Sequence, residues 1–270
     1  MKINKTDYII GKNNNYWKKI LGIELFKVEY YTKWFLYKMF GVKLPKLNDQ
    51  HGYWRDRGKV YMEEILSSGY LDREGFFQDL IINEMKEIDF QSSFEAGCGF
   101  GWNIKRVKEE FPYKRVAGLD FSLTQLRNSA KYMEGLNIPV INGDNCQMPF
   151  KDASFDIGFS LGVFMNIHPD KIKHALSEMI RVCKKYIIHI EYDEDNTKTE
   201  LREKRAIKTN IISHDYKSIY EQMGKKIITF LTYNDFSEAY YEFQNNIVVS
   251  LDRWEGFEGP EKYVLIIVEL

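Results

Sequence analysis

The sequence predicts a doubly wound, mostly parallel α/β fold, and two observations carry that prediction. From about residue 91, short apolar runs alternate with amphipathic stretches, which is the pattern of repeated βα units. The first of these runs ends in Gly97-Cys98-Gly99-Phe100-Gly101 and the next closes on Asp120. A glycine turn after one strand and an acidic residue at the end of its neighbour belong to folds that bind ligands at the carboxyl ends of the strands. The chain is expected to divide into a helical N-terminal extension or lid over 1–90 and an α/β domain over 91–270. A C-terminal cap insertion at about 235–260 interrupts that domain.

The elements follow in order. Residues 16–40 crowd Trp17, Tyr30, Tyr31, Trp34, Phe35, Tyr37 and Phe40 among lysines, until Pro45 and Asn48-Asp49 break the pattern. Aromatics on nearly every face of this arm favour burial against the protein or a homodimer partner; peripheral membrane contact is not favoured. Helices are expected over 61–67 and 75–88. The domain proper then gives strands at 93–96, 115–119, 139–141, 155–160 and 186–191, separated by helices at 102–110, 123–134 and 169–183. Residues 193–208 carry mixed charge and few large apolar groups, as an exposed loop does. A helix over 215–223 stops at Gly224, strands follow at 226–232 and 263–269, and the aromatic-rich stretch between them holds a further strand at 247–251. That stretch is too long for a simple connection, so it reads as a substrate-covering element.

Composition narrows the partners. The 270 residues are 44% hydrophobic and 15% aromatic, enough for a substantial core. Lysine and arginine (38) nearly balance aspartate and glutamate (39), which argues against nucleic acid as the main partner. The balance is local rather than uniform: residues 1–62 hold 13 basic against 5 acidic side chains, a net of +8, and the rest is −9. Cys98, Cys146 and Cys183 fit neither a disulfide framework nor a zinc spacing, so a cytoplasmic protein with no metal is expected. The N-terminus does not read as a signal peptide, and the apolar run over 34–42 is too short to span a bilayer.

The glycine turn admits two cofactor classes. Dinucleotides need G-x-G-x-x-G with pyrophosphate at a helix N-terminus. Here the spacing is Gly97-x-Gly99-x-Gly101, Trp102 stands where the third glycine belongs, and Glu95 precedes the turn. A carboxylate there suits a ligand with positive charge better than a pyrophosphate.

With these residues in view, the segment 91–191 resembles the class I S-adenosylmethionine-dependent methyltransferases, particularly the small-molecule group whose first motif is E/D-x-G-x-G-x-G. Four ordered elements carry the resemblance. Glu95-Ala96-Gly97-Cys98-Gly99-Phe100-Gly101 is similar to the first motif, which passes beneath the methionyl and ribose portions of the cofactor. Gly118-Leu119-Asp120-Phe121-Ser122 is similar to the second, whose acidic residue takes both ribose hydroxyls. Gly143-Asp144-Asn145-Cys146-Gln147-Met148-Pro149-Phe150 resembles the adenine-binding G-D-A-x-x-L-P-F segment, and Phe155-Asp156-Ile157-Gly158-Phe159-Ser160-Leu161-Gly162 the strand forming the floor of the site. The resemblance implies a Rossmann-like fold, S-adenosyl-L-methionine as cofactor and S-adenosyl-L-homocysteine as product. It assigns cofactor contacts to Glu95, Gly97, Cys98, Gly99, Asp120, Phe121, Asp144, Asn145, Cys146 and Ser160. Gly158 and Asn145-Cys146 depart from the family pattern without removing a required donor or acceptor. Asp156 is expected to be structural, and Ser122 is better placed than Asp120 to cap the following helix.

For the acceptor, the histidines are the informative residues, because an oxygen acceptor needs a base and a neutral amine does not. His168, before Pro169, is either substrate-facing or a helix cap. His214 precedes a helix in a region that often faces the acceptor. His189 reads as core, and Glu191, Asp193, Glu194 and Asp195 beside it as a solvated loop rather than, with His189, a metal site. Arg57, or Arg55 beside it, in the segment 51–61 ahead of the first motif, is expected to pair with the methionyl carboxylate or an anionic substrate, or to pack the extension onto the sheet. The functional expectation is an enzyme methylating a small polar molecule, with O-methylation of a saccharide or of a hydroxylated or phosphorylated metabolite preferred. An N-methyltransferase and a membrane-surface lipid methyltransferase or cofactor-binding interaction protein are the alternatives.

Overall fold

The structure, a computed structural model, describes residues 19–41, 50–68, 70–192, 212–232, 234–236, 238 and 263–270. The expected loop at 193–208 and the strand at 247–251 lie outside these residues.

A two-residue hairpin, β1 (Lys19–Ile20) and β2 (Ile23–Glu24), leads into α1 (Leu25–Phe40). Two further helices follow, α2 (Gln50–Ser68) and α3 (Tyr70–Lys86). The α/β part then runs β3 (Ser92–Ala96), α4 (Trp102–Glu110), β4 (Arg115–Asp120), α5 (Leu123–Tyr132), β5 (Val140–Asn142), β6 (Phe155–Leu161), a 3-10 turn (Phe164–Asn166), α6 (Pro169–Val182) and β7 (Cys183–Tyr192). It closes with α7 (Tyr216–Gln222), β8 (Lys226–Thr232) and β9 (Tyr263–Glu269). Seven strands form one sheet in the order β5-β4-β3-β6-β7-β9-β8. Strands β3 to β7 pair in parallel; β9 enters antiparallel between β7 and β8. This is the expected Rossmann-like, doubly wound, mostly parallel sheet.

The core explains why the strand sequences are continuous apolar runs. Both sheet faces are covered, so successive side chains of a strand enter opposite cores. In β9, Leu265 and Ile267 join Phe77, Ile81 and Met85 of α3 and Ile104 and Val107 of α4 on one face. Val264, Ile266 and Val268 join Leu176 and Met179 of α6 and Tyr216 and Tyr220 of α7 on the other. Each such side chain contributes about 1.5–3 kcal/mol of burial. The departure at Gly158 has its reason here: a Cβ would fall 2.5 Å from Cys183 Sγ and 2.9 Å from the Phe94 ring, so only glycine fits where β6 crosses that core. Asp156 is structural as expected. Its Oδ2 accepts the backbone N–H groups of Gln91 (2.7 Å) and Ser92 (3.0 Å), tying the start of β6 to β3.

Two expectations for the extension change. The helix expected over 61–67 begins eleven residues earlier, at Gln50, so the segment 51–61 is helical. Glycines 52 and 58 disguised it, since glycine weakens a helix interior by about 1 kcal/mol. Gly58 is instead a packing contact. Its carbonyl accepts from Asn128 Nδ2 (3.0 Å), and a Cβ on it would press against Ser122 Oγ at 3.2 Å and Gln125 Cγ at 3.3 Å. Helix α2 thereby lies close against α5, above the carboxyl end of β4. The second concerns α1, whose Val28, Phe35, Met39 and Phe40 are exposed in the single chain, so of the two expected coverings, the protein itself or a homodimer partner, the first is not made by the described residues.

Candidate cofactor and acceptor site

The carboxyl ends of β3, β4 and β6 open into a cavity of about 330 Å3, roofed on one side by Trp54 and Tyr61 of α2. Its floor is set by backbone constraints that the glycine turn meets. Gly97 has φ +74, and its N–H and that of Cys98 both donate to Leu119 O (2.7 and 2.9 Å). A Cβ on Gly97 would stand 2.3 Å from Val163 Cγ1. Gly99 has φ +54, and the nearest atom to a Cβ there would be Gln125 Nε2 at 3.9 Å, so its bare face looks into open space. Gly101, φ +94, begins α4 with Met133 Sδ packed 2.7 Å from where its Cβ would be.

Two buried carboxylates border that floor, in different states. Asp120 Oδ2 accepts the Gly99 N–H (2.9 Å) and Oδ1 that of Ser122 (2.7 Å). Burial raises its pKa to about 6, the two N–H bonds pulling the other way. Ser122, as expected, is the cap of α5, accepting from the Gln125 N–H. Glu95 is 1% exposed. Its Oε1 accepts from Asn103 Nδ2 at 2.7 Å, Oε2 has no hydrogen-bond partner, and burial pushes its pKa up to about 8. A buried carboxyl group on a cavity wall with one oxygen unbonded keeps its proton until a charged donor from outside favours the ionised form.

Asp144, Asn145 and Cys146 form the next part of the wall, with Phe121. Asp144 Oδ1 accepts the Cys146 N–H (2.8 Å), an Asx turn that shapes the segment. The Cys146 thiol is pushed up to about 11 by burial and by Asp144, and the buried Cys98 thiol is raised too, so neither is a thiolate nucleophile. Thus Glu95, Gly97, Cys98, Gly99, Asp120, Phe121, Asp144, Asn145 and Cys146 all line one cavity.

Three expected residues do not. Ser160 lies beneath the cavity, its hydroxyl 2.6 Å from Glu191 Oε1 and 2.7 Å from His189 Nδ1. As a strand residue it points into the sheet's core, where a carboxylate and an imidazole already claim it. His214 is buried, bonds Ile167 O through Nε2 (3.0 Å) and has its pKa lowered to about 4 by burial. It pins the loop before α6 and offers no free nitrogen to an acceptor. Arg57 makes an ion pair with Glu64 on its own helix, and its guanidinium carbon lies 5.1 Å from the Tyr61 ring centre. It braces Tyr61 from behind the cavity wall.

His168 does line the cavity, and it is also the cap of α6, its Nδ1 accepting the Asp170 N–H at 3.2 Å. The same Nδ1 stands 3.3 Å from Asp170 Oδ2, so Asp170 holds that edge of the ring through both its backbone and its carboxylate. The residue that sequence reasoning missed is Glu191. Its carboxylate accepts the Ser160 hydroxyl and the N–H groups of Val163 (3.0 Å) and Met165 (3.1 Å), and so holds the loop after β6 that lines the cavity. A chain of bonds continues from Ser160 through His189 to the Tyr220 hydroxyl (2.6 Å from Nε2). An acidic residue at the end of an otherwise apolar strand was the only signal for it.

Comparison with known proteins agrees with this geometry. A family model described as a methyltransferase domain matches residues 94–186. The demethylmenaquinone methyltransferase of Staphylococcus aureus (strain JH9) is 39% identical over 97 residues, which cover 34% of this chain and 38% of that protein; the same figures hold for strain Newman. The chain thus spans well under half the length of these curated relatives. Among solved structures, geranyl diphosphate C-methyltransferase from Streptomyces coelicolor A3(2) has a TM-score of 0.62 at 14% identity, over 84% of this chain and 99% of that one. The [4+2]-cyclase SpnF has a TM-score of 0.53 at 15% identity, over 72% and 79%. Since fold neighbours differ so much in reaction, these likenesses speak for the fold. Motif order, sheet topology and the matched model converge on one assignment: residues 94–186 of this chain form a methyltransferase domain of the class I S-adenosylmethionine-dependent family.

Proposed function

We propose that the protein binds S-adenosyl-L-methionine in this cavity and transfers its methyl group to a small, uncharged, hydroxylated acceptor, releasing S-adenosyl-L-homocysteine. The single observation that carries the reading is the unpartnered Oε2 of Glu95, beside the bare face of Gly99 and the carboxylate of Asp120. These residues fit the cofactor. Glu95 meets the methionyl ammonium, Gly99 lets the chain pass at close range, and Asp120 still has lone pairs for a ribose diol after accepting two backbone N–H groups. Asp144, Asn145, Cys146 and Phe121 form the adenine end.

When bound, the cofactor supplies a methyl carbon made electrophilic by its sulfonium. The chain's own work is to orient and to exclude water. Glu191 fixes the Val163–Met165 backbone, so that Val163 and Asn166 hold one wall at a constant distance from Gly97. Trp54 and Tyr61 of α2 line the same cavity. His168, on the cavity wall, orients an acceptor oxygen by hydrogen bonding, while the proton leaving that oxygen passes to solvent or to a neighbouring carboxylate.

The charge of the wall selects the acceptor. Asp120, Asp144 and Asp170 line the cavity with one lysine, Lys171, while Glu95 is uncharged in the cofactor-free protein and ionises only opposite the donor's ammonium. An anionic acceptor meets repulsion there, which disfavours the phosphorylated metabolite among the sequence expectations and leaves a saccharide or other neutral hydroxylated ring. A second reading, transfer to carbon on an apolar ring, is favoured by Leu161, Val163, Ile167 and Trp54, which line the same cavity. Cytoplasmic location and monomer or dimer state stay with the proposal. Among the described residues no helix is long and apolar enough to cross a membrane.

Calorimetric titration with S-adenosyl-L-methionine and S-adenosyl-L-homocysteine tests the donor half; no heat with either sinks it. Mass spectrometry of reactions with neutral saccharides, phenols, quinols and sugar phosphates tests the acceptor half. Methylation confined to sugar phosphates would overturn the charge argument.

A further inference from the structure

We propose that α1 is a membrane-surface element which seats this protein on bilayers containing anionic lipid. Val28, Tyr31, Phe35 and Met39 follow one another at helical spacing and are exposed, Phe35 at 56% and Met39 at 62%. Leu36 and Phe40 widen the stripe, and Ile20 and Leu21 of the preceding hairpin, the latter 97% exposed, continue it beyond the start of the helix. An apolar surface of this size, held out on a helix, marks a place where something other than water is met.

The occupant follows from charge. By helical spacing, positions 27 and 38 border the stripe on one side and position 33 on the other, all three lysines; one glutamate, at position 29, falls on the second side, which leaves α1 at +2. Lysines flanking an apolar face are the arrangement of a helix lying in the plane of a membrane, stem in the headgroups and ammonium toward phosphate. Lys38 is exposed, with its Nζ 4.8 Å from the Trp34 ring centre, so a cation and an indole already share one edge, as they do at a headgroup boundary. The surrounding chain agrees: residues 1–62 are +8 and the remainder is −9, so the arm is drawn to an anionic surface while the catalytic body is held off it. A second copy of the chain would bring two +8 arms together, which their mutual repulsion opposes. A polyanion such as RNA would satisfy the lysines and leave Val28, Phe35 and Met39 in water.

The inference does not rest on the acceptor's identity. The test uses the full chain, sedimented with vesicles of phosphatidylcholine alone or of phosphatidylcholine with phosphatidylglycerol, at low and high salt. Sedimentation with the anionic vesicles that weakens in high salt is expected. The double substitution Phe35→Glu and Met39→Glu should lower partitioning by about a hundredfold, two aromatic-sized apolar contacts being removed, with S-adenosyl-L-methionine binding unchanged as the control for folding. No sedimentation with anionic vesicles at low salt overturns the proposal, as does sedimentation that the double substitution leaves intact. It is equally overturned if analytical ultracentrifugation finds a dimer that the double substitution dissociates, the stripe then being a self-interface. A protein that binds vesicles and no cofactor would refute the proposed function and leave this inference standing.

Discussion

The two walls of the cavity are built on different principles. The strand-end wall, from Glu95 through Asp120 to Asp144, is made of backbone: glycines at positive φ, N–H groups donated to carboxylates, and Cβ positions that are forbidden. The opposite wall, from α2 and the loop after β6, is made of side-chain surfaces: Trp54, Tyr61, Val163, Ile167 and His168. A backbone wall accepts one ligand and tolerates almost no substitution, whereas a side-chain wall is re-shaped by changing single residues. On the proposed function, donor recognition belongs to the first and acceptor choice to the second, a division that substitutions can break.

The largest effect is expected at Gly97. Alanine there combines a φ of +74 with a Cβ 2.3 Å from Val163 Cγ1, so Gly97→Ala should cost about 2–5 kcal/mol and abolish cofactor binding measured by calorimetry. Adding Val163→Ala relieves the contact and leaves the dihedral strain, so the double variant should recover part of the thermal stability. Full recovery would show that the wall is less constrained by its backbone than argued here.

Next comes Asp120→Asn. The amide can accept only one of the two N–H bonds that the carboxylate now takes, and it meets the other donor with a donor. Cofactor affinity should fall by about tenfold to a hundredfold, with neutral-acceptor preference unchanged. A change in acceptor preference would break the division between the walls.

The third concerns pH. Glu95 has a raised folded pKa, from 4.5 to about 8, so its stabilisation of the cofactor-free fold is complete below pH 4.5 and is lost as pH rises through 8. Asp120 acts in the same sense between 3.8 and about 6. His214, lowered from 6.5 to about 4, acts oppositely, its contribution being lost as pH falls below 6.5. Between pH 6.5 and 8 the apo melting temperature should therefore fall, and less so in Glu95→Gln. If Glu95 ionises to meet a cationic ligand, binding at pH 7 releases about one proton, read from calorimetry in buffers of different ionisation enthalpy, and Glu95→Gln abolishes that release. Release unchanged in the variant would remove Glu95 from the site.

The smallest effect is at His168. His168→Ala removes a helix cap and should cost about 1 kcal/mol, which Asn restores. If the ring also orients the acceptor, His168→Asn regains stability without regaining turnover. Recovery of both would make His168 a cap alone.

The same division explains what was legible in advance. The backbone wall was readable because its constraints fall on residues close in sequence and on types with narrow roles. Gly97 and Gly99 answer to dihedral angles, and Ser122 rather than Asp120 answers to a cap. Helices α4 and α6 and strands β8 and β9 were readable for the same local reasons. Arg57, Ser160 and His214 were misplaced because their partners, Glu64, Glu191 and the Ile167 carbonyl, are chosen by packing between separated segments. Gly58 misled for a related reason: its value lies in how near α2 comes to Ser122, which no local propensity records.

The antiparallel strand β9 has a consequence for the order in which the protein can be made. Strands β3 to β7 leave a ribosome in sequence and can pair as they emerge, yet the edge of β7 waits for a partner that is encoded later than β8. Until β9 arrives, β8 has nothing to pair with and the apolar edge of β7 is open, a nascent intermediate of the kind that aggregates or recruits a chaperone. Ribosome stalling or truncation before Tyr263 should thus yield an insoluble product even though every residue of the donor-binding wall has already been synthesised.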